Sequence, residues 1–232
     1  MTNRVFDVLD DWRNLPHYQL ERRADIFFGV FLKQIVEQHF LCNGEKIRIS
    51  SIIPEFPIKK SMIDSSYTDN RSYKIDYALF SENAQRVFFL ELKTDMTSIH
   101  KDQMQVMKSL NGMCFQEILE GLKPLFMTGA RRKYLYLFKQ LEDMGLLKLP
   151  ENLVERVETQ KQAKQLIKEI EIYSLDSTIE VVYILPKKAK SDAGPNSFAQ
   201  VIVFEQIVEI LRRRPSDPLA ARFAESLEEW SR

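Results

Sequence analysis

The segment VFFLELKT, residues 87–94, is the most apolar strand-like stretch in the first half of the chain, and it ends in two opposite charges. Because side chains alternate along a strand, Phe89, Glu91 and Lys93 share one face. A strand that begins apolar on both faces is typical of the middle of a sheet. Among the 33 acidic residues, only Glu91 is followed two positions later by a lysine. The sequence therefore predicts a central strand that carries a carboxylate and an amine at one end.

A second predicted strand, KIDYALF (74–80), precedes the first and is separated from it by six residues. A symmetric hairpin places Phe80 opposite Val87. Counting back along both strands then places Asp76 opposite Glu91, with Cβ atoms about 4.5–5.5 Å apart. Two carboxylates this close repel each other unless one is protonated or a cation lies between them. Mg²⁺ suits such a pair, because it takes one or two carboxylates and completes its coordination with water and phosphate oxygens.

Asp76, Glu91 and Lys93, with fourteen residues between the first two, resemble the motif of the PD-(D/E)xK nuclease superfamily, in which an acid on one strand is followed by Glu/Asp-x-Lys on the next. The similarity extends over residues 18–110, with an opening helix, a strand, the motif hairpin and a following helix. Ile75 stands where the superfamily motif has proline. The resemblance identifies no subfamily. It implies an α/β fold with a restriction-endonuclease-like core, in which a mixed β-sheet is flanked by helices.

The resemblance also implies the chemistry of the site. Asp76 and Glu91 would bind Mg²⁺ or Mn²⁺, helped by the carbonyl of Leu92, and Lys93 would position or activate the hydrolytic water. A lysine in that place can also stabilise the charge that develops on the phosphate oxygens. The implied activity is metal-dependent hydrolysis of phosphodiester bonds in nucleic acid, with DNA as the favoured substrate.

Superfamily members often carry a further acid near the start of the first helix and a glutamine on the helix after the lysine strand. Glu21 is the best-placed acid, with Asp25 one turn on and Glu37 near the far end of the helix. Gln103 lies ten residues beyond the motif lysine. Met107 stands where many members have an aromatic residue, which departs from the RecB-like pattern. The resemblance therefore adds Glu21 as a metal ligand and Gln103 as a catalytic residue.

Cationic and imidazole side chains at two predicted helix starts are candidates for nucleic-acid contacts. His100 and Lys101 begin the helix after the motif strand, where they would face a phosphate. Arg131, Arg132 and Lys133 form a basic cluster followed by two nearby tyrosines, a pattern that suits a nucleic-acid backbone and stacked bases. Ordinary solvated helix starts explain both groups more simply, and both explanations stay open at this point.

Composition excludes several other classes of protein. Lys plus Arg and Asp plus Glu number 33 each, so the net charge is zero and any polyanion site is a local patch. The two cysteines, Cys42 and Cys114, lie far apart and outside any CxxC motif, which argues against a disulfide framework or a zinc site. The seven glycines of the chain form no glycine-rich phosphate-binding motif. Without an apolar leader or a long uncharged run, we expect a cytoplasmic protein with no membrane partner.

The order of predicted elements favours one domain, with a core at roughly 17–120 and 175–212 and a helical insertion at roughly 121–170. Predicted helices cover residues 17–41, 98–120, 129–145, 152–170 and 217–230, and predicted strands cover 46–60, 74–80, 87–94 and 178–188. Residues 197–211 fit either a strand running into a helix or a single helix. A homodimer, which would let two sites cut both strands of a duplex, is the assembly we consider.

Three alternatives accompany the nuclease hypothesis. The hairpin could carry only a solvated cross-strand ion pair, Asp76 with Lys93 or Lys74 with Glu91. The chain could also be a catalytically inactive module that keeps this fold to bind DNA or protein. A transferase or immunity protein of unrelated fold is a further alternative, and it would place Asp76 and Glu91 far apart.

Overall fold

A computed structural model of the chain describes residues 2–82, 84–127, 131–151, 153, 160–174, 176–188, 194–214 and 216–232. Its helices are α1 (Thr2–Trp12), α2 (Leu20–Cys42), α3 (Lys101–Leu110), α4 (Phe115–Leu122), α5 (Arg131–Asp143), α6 (Gln160–Glu169), α7 (Phe204–Arg212) and α8 (Pro218–Trp230). Its strands are β1 (Ile49–Lys59), β2 (Ser72–Ser81), β3 (Arg86–Leu92), β4 (Leu147–Lys148), β5 (Glu171–Ile172), β6 (Thr178–Leu185) and β7 (Gln200–Val203). Among the described residues, none of the helices is long and apolar enough to cross a membrane.

Five strands form a mixed sheet in the order β1-β2-β3-β6-β7. The first three are antiparallel neighbours, whereas β3, β6 and β7 run parallel to one another. β1 lies at an edge, which accommodates Pro54 and Pro57 because proline cannot donate a ladder hydrogen bond. A separate two-stranded antiparallel sheet joins β4 and β5. The fold is thus α/β with a mixed sheet flanked by helices, as the sequence predicted.

β3 is the central strand of this sheet, as its apolar composition predicted. Every residue of β3 after Arg86 is buried. Its antiparallel pairing with β2 places Phe80 opposite Val87, which is the register of the predicted symmetric hairpin. Its other edge pairs with β6 along its whole length. Because β3 is bonded on both sides, the position of its last residues is closely defined.

Apolar side chains fill both faces of the sheet. On one face, α3, α4, α5 and α6 pack over the side of β3 that carries Phe89. On the other face, α1, α2, α7 and α8 pack over Phe88. Phe223 of α8 lies within the second core, where its ring centroid is 5.0 Å from that of Phe28 and 5.8 Å from that of Phe6. Close packing on both faces holds the end of β3 in place.

The predicted insertion at 121–170 contributes buried side chains to the first core. Phe126, Phe138 and Leu166 are at most 1% exposed. Besides helices, the segment contains β4, whose Leu147 pairs with Ile172 just beyond the predicted boundary. Within this segment, residues 128–130, 152 and 154–159 lie outside the described residues. The helices α5 and α6 both contact the Lys123–Met127 turn.

Two helices differ from the sequence prediction. α1 is a helix in a segment for which the sequence predicted none. The single helix predicted at 98–120 is divided into α3 and α4, because Gly112 has a φ of +81°, a left-handed conformation that suits glycine and ends a helix. The neighbouring Asn111 also bonds outside the helix, since its Nδ2 donates to the carbonyl of Phe198 at 2.9 Å.

Two predictions near the carboxyl terminus are resolved. For residues 197–211 the strand-then-helix alternative is the correct one, because β7 ends at Val203 and α7 begins at Phe204. The strand predicted at 178–188 ends at Leu185, where Pro186 follows. Proline lacks the N–H that a further ladder bond would need.

Candidate functional site

The two motif carboxyl groups lie side by side at the carboxyl end of β3. Tyr77 pairs with Leu90, so Asp76 and Glu91 occupy the next position of the same hairpin. The backbone N–H of Leu92 donates to Oδ2 of Asp76 at 2.7 Å. This bond holds the aspartate against the end of β3. The alternative in which the two acids lie far apart is therefore excluded.

Lys93 follows β3 directly and contacts the carboxyl pair. Its backbone N–H donates to the carbonyl of Ile184 at 2.9 Å, which continues the pairing with β6. Its Nζ donates to Oε1 of Glu91 at 2.6 Å and lies 3.4 Å from Oε1 of Glu21. Gln103 on α3 donates through Nε2 to the same Oε1 of Glu91. One oxygen of Glu91 is therefore held by an amine and an amide together.

Burial dominates the electrostatics of this cluster, because Glu91 is 0% and Lys93 4% exposed. Burial, followed by the charge of Asp76, raises the pKa of Glu91 to about 8. Burial also raises the pKa of Asp76, although the hydrogen bond from Leu92 opposes it. Burial alone would lower the pKa of Lys93, but the charges of Glu91 and Glu21 raise it above its ordinary value. Burial thus favours a proton on the carboxyl pair beside a charged amine.

The raised pKa of Glu91 predicts that the metal-free protein loses stability as the pH rises. This carboxyl group has an ordinary pKa of 4.5 when unfolded and about 8 when folded, so between these values only the folded state keeps the proton. The contribution of this proton to the free energy of unfolding is complete below pH 4.5. It is lost as the pH approaches 8, by at most about 1.4 kcal/mol per pH unit. Urea unfolding at several pH values in the presence of a chelator measures this free energy. Glu91→Gln should flatten the profile, and a wild-type stability that rises across the window would contradict the assignment.

The arrangement of oxygens fits a divalent cation. Oε2 of Glu91 is buried and receives no hydrogen bond from any described donor. The carboxyl group of Asp76 lies beside that of Glu91. In the described ranges there is no cluster of three or more His, Cys, Asp or Glu side chains suited to a metal. Two carboxylates suffice for Mg²⁺, which usually keeps several waters. Leu92, the predicted carbonyl ligand, is seen to contribute its N–H to the site.

Of the three candidate acids on α2, Glu21 is the one in contact with the motif lysine. Its side chain is 31% exposed, and burial raises its pKa. The backbone carbonyl of Asp25 accepts a hydrogen bond from the hydroxyl of Tyr77 at 2.8 Å, which ties α2 to β2. The carboxylate of Glu37 accepts from the backbone at the start of β1, also at 2.8 Å. Glu21 therefore lies at the solvent-facing side of the cluster, next to Lys93.

The predicted nucleic-acid contacts separate into two groups. His100 and Lys101 are exposed at the start of α3, the helix that also delivers Gln103 to Glu91. Lys133 is exposed on α5, a helix that contacts the Lys123–Met127 turn and β4. The side chains of Arg131 and Arg132 lie outside what the structure describes. Only the α3 group is on an element that reaches the carboxyl pair through a described side-chain contact.

Tyr183 lies beside the carboxyl pair, although no pattern in the sequence indicated it. It lies on β6 directly beside Glu91 in the parallel register. Burial raises the pKa of its hydroxyl, and the charges of Glu91 and Asp76 raise it too. The strand itself was recognisable from the apolar run at 178–185. Its register against β3 depends on a long crossover, and no local signal in the sequence specifies that.

An open cleft of about 710 Å³ adjoins the cluster at Glu21. Thr94 and Asp95, just beyond the motif lysine, also line it. Cationic and aromatic residues of the cleft are Arg13, Tyr18, Arg22, Lys187, Trp230 and Arg232. The cleft therefore meets the cluster at Glu21, whereas Asp76, Glu91 and Lys93 do not line it.

Comparisons with protein-family models, with curated proteins and with solved structures found no match. The function is therefore inferred from the chemistry of the site. Two adjacent carboxyl groups, a buried amine and an amide converge at the end of one central strand, beside an open cleft.

Proposed function

We propose that this chain is a metal-dependent nuclease of the PD-(D/E)xK type, acting in the cytoplasm on the phosphodiester bonds of nucleic acid, with DNA as the favoured substrate. The observation that carries the proposal is the convergence of Asp76, Glu91 and Lys93 at the end of β3, with one oxygen of Glu91 buried and free of donors. An antiparallel hairpin that continues into parallel strands supports a restriction-endonuclease-like core.

Asp76 and Glu91 would hold Mg²⁺ or Mn²⁺. A cation bound there would neutralise charge on the phosphate and activate the attacking water. The hydrogen bond from Leu92 positions one carboxylate, and Gln103 positions the other. Because burial favours a proton on this pair without metal, a bound cation would displace that proton.

Lys93 has two roles in this proposal. Its buried ammonium would stabilise negative charge that develops on the phosphate oxygens, and would orient the attacking water. The contact with Glu91 at 2.6 Å and the pairing to Ile184 hold its amine beside the carboxyl pair. Glu21, 3.4 Å from the same amine, is the site residue that faces the cleft from which a substrate enters.

A binding module without catalysis is the second candidate, and the burial of the cluster favours it. Glu91 and Lys93 are almost completely enclosed, and their charges compensate each other. Such a pair can exist for packing alone. In that case neither nucleic-acid cleavage nor metal binding would depend on these residues.

Cleavage of plasmid, linear double-stranded DNA, single-stranded DNA and RNA in the presence of Mg²⁺ or Mn²⁺ tests the proposal. Cleavage by wild type is compared with cleavage by Asp76→Ala and Lys93→Ala. Size-exclusion chromatography of the same preparation shows whether a homodimer forms. We expect cutting by wild type and loss of cutting in both variants. Cleavage that survives both substitutions would mean that other residues catalyse it. No cleavage of any substrate by wild type would favour the binding module.

A further inference from the structure

Two polar atoms on neighbouring strands are buried and receive no hydrogen bond from a described donor. They are Oη of Tyr183 and Oε2 of Glu91, whose carboxyl group lies beside that of Asp76. Tyr183 is 1% and Glu91 0% exposed, so bulk water does not solvate either group. Native proteins leave few such groups, and each one calls for a physical explanation.

The register of the sheet places these two side chains next to each other. Tyr183 and Glu91 are register partners in the parallel pair of β3 and β6. Register partners project from the same face, and neighbouring strands lie about 4.8 Å apart. The ring of Tyr183 is held by an edge-to-face contact with Phe198, with centroids 6.1 Å apart. The hydroxyl is a donor, and a Glu91 carboxylate that binds a cation is an acceptor, so the two groups are complementary in that state.

We propose that Tyr183 is a positioning residue of the metal site: its hydroxyl donates to Oε2 of Glu91 when the carboxyl pair takes up a divalent cation, and so orients that oxygen toward the cation. This inference rests on the proposed function. Carboxylates that bind metals are themselves usually hydrogen-bonded, and loss of such a partner typically costs about 10–100-fold in affinity or activity. Lys93 and Gln103 already hold the other oxygen.

Calorimetric titration with Mn²⁺ of wild type, Tyr183→Phe and Tyr73→Phe tests this inference. Tyr73 is a half-buried tyrosine of β2 that pairs with Ile58, so its variant controls for loss of a hydroxyl elsewhere in the same sheet. We expect Tyr183→Phe to weaken Mn²⁺ binding about 10–100-fold. The metal-free melting temperature should not fall, because the removed hydroxyl has no described partner. The control should match wild type in affinity.

The outcomes separate this inference from the proposed function. Wild-type affinity in Tyr183→Phe, with wild type binding Mn²⁺ and cutting nucleic acid, would overturn the role of Tyr183 and leave the nuclease proposal standing. A lower metal-free melting temperature with unchanged affinity would make the hydroxyl a structural group and overturn the inference as well. If wild type neither binds Mn²⁺ nor cuts, both proposals fail. If Tyr183 is a positioning residue, Tyr183→Phe has a lower kcat than wild type and an unchanged KM for nucleic acid.

Discussion

Lys93→Met is expected to lower the rate of cleavage by about 10²–10³-fold, the usual loss when one charged or hydrogen-bonding group that stabilises the transition state is removed. Methionine keeps the apolar stem of the side chain, so packing at this nearly buried position changes little. Mn²⁺ affinity should stay equal or become tighter, because the ammonium no longer repels the cation or occupies Oε1 of Glu91. Single-turnover cleavage and Mn²⁺ titration of one preparation measure the two effects together.

Lys108→Met is the matched control, since Lys108 is exposed on α3 and lies five residues beyond the glutamine that reaches Glu91. Its cleavage rate should equal that of wild type. Equal losses in both variants would point to a general effect of cationic charge. Loss of Mn²⁺ binding in Lys93→Met would contradict the separate roles assigned to the amine and the carboxyl pair.

Asp76→Asn is expected to have opposite effects on stability and on metal binding. The amide oxygen of asparagine can still accept the N–H of Leu92, so the local geometry is kept. One negative charge is removed from a buried pair, which should raise the metal-free free energy of unfolding at pH 8 by about 1–3 kcal/mol. Mn²⁺ binding should fall by at least about 100-fold, because a charged ligand is lost. Urea unfolding with and without Mn²⁺ measures both quantities.

Asp143→Asn provides the control for this pair of effects, because Asp143 is an exposed acid at the end of α5. It should unfold like wild type and show the same stabilisation by Mn²⁺. A less stable Asp76→Asn protein would mean that the aspartate is mainly a structural acceptor. If Mn²⁺ still stabilises Asp76→Asn as much as wild type, the cation binds at another site.

The motif hairpin could be predicted because local rules determine it. Both strands are apolar, six residues join them, and a symmetric closure leaves one register in which Phe80 meets Val87. That register alone brings Asp76 next to Glu91. The contact of Gln103 with Glu91 also agrees with the residue chosen from the resemblance.

Other parts of the site depend on contacts between distant segments and could not be predicted. Tyr183 lies beside Glu91 only because β6 returns parallel to β3 after a crossover that contains several helices. The break at Gly112 is a backbone feature within a segment whose apolar spacing remains helical. The lysine was expected to act on water, but its contact with Glu21 depends on where α2 packs. Tertiary packing determined each of these positions.

Anomalous X-ray scattering from a crystal of this protein soaked in Mn²⁺ locates a bound cation directly. We expect a peak between Asp76 and Glu91, with carboxylate oxygens of both residues within coordination distance of the ion. We also expect Oε2 of Glu91 to be a ligand, since that oxygen receives no described hydrogen bond in the metal-free protein. A well-ordered carboxyl pair with no peak beside it, and with Lys93 still bound to Glu91, would contradict the account.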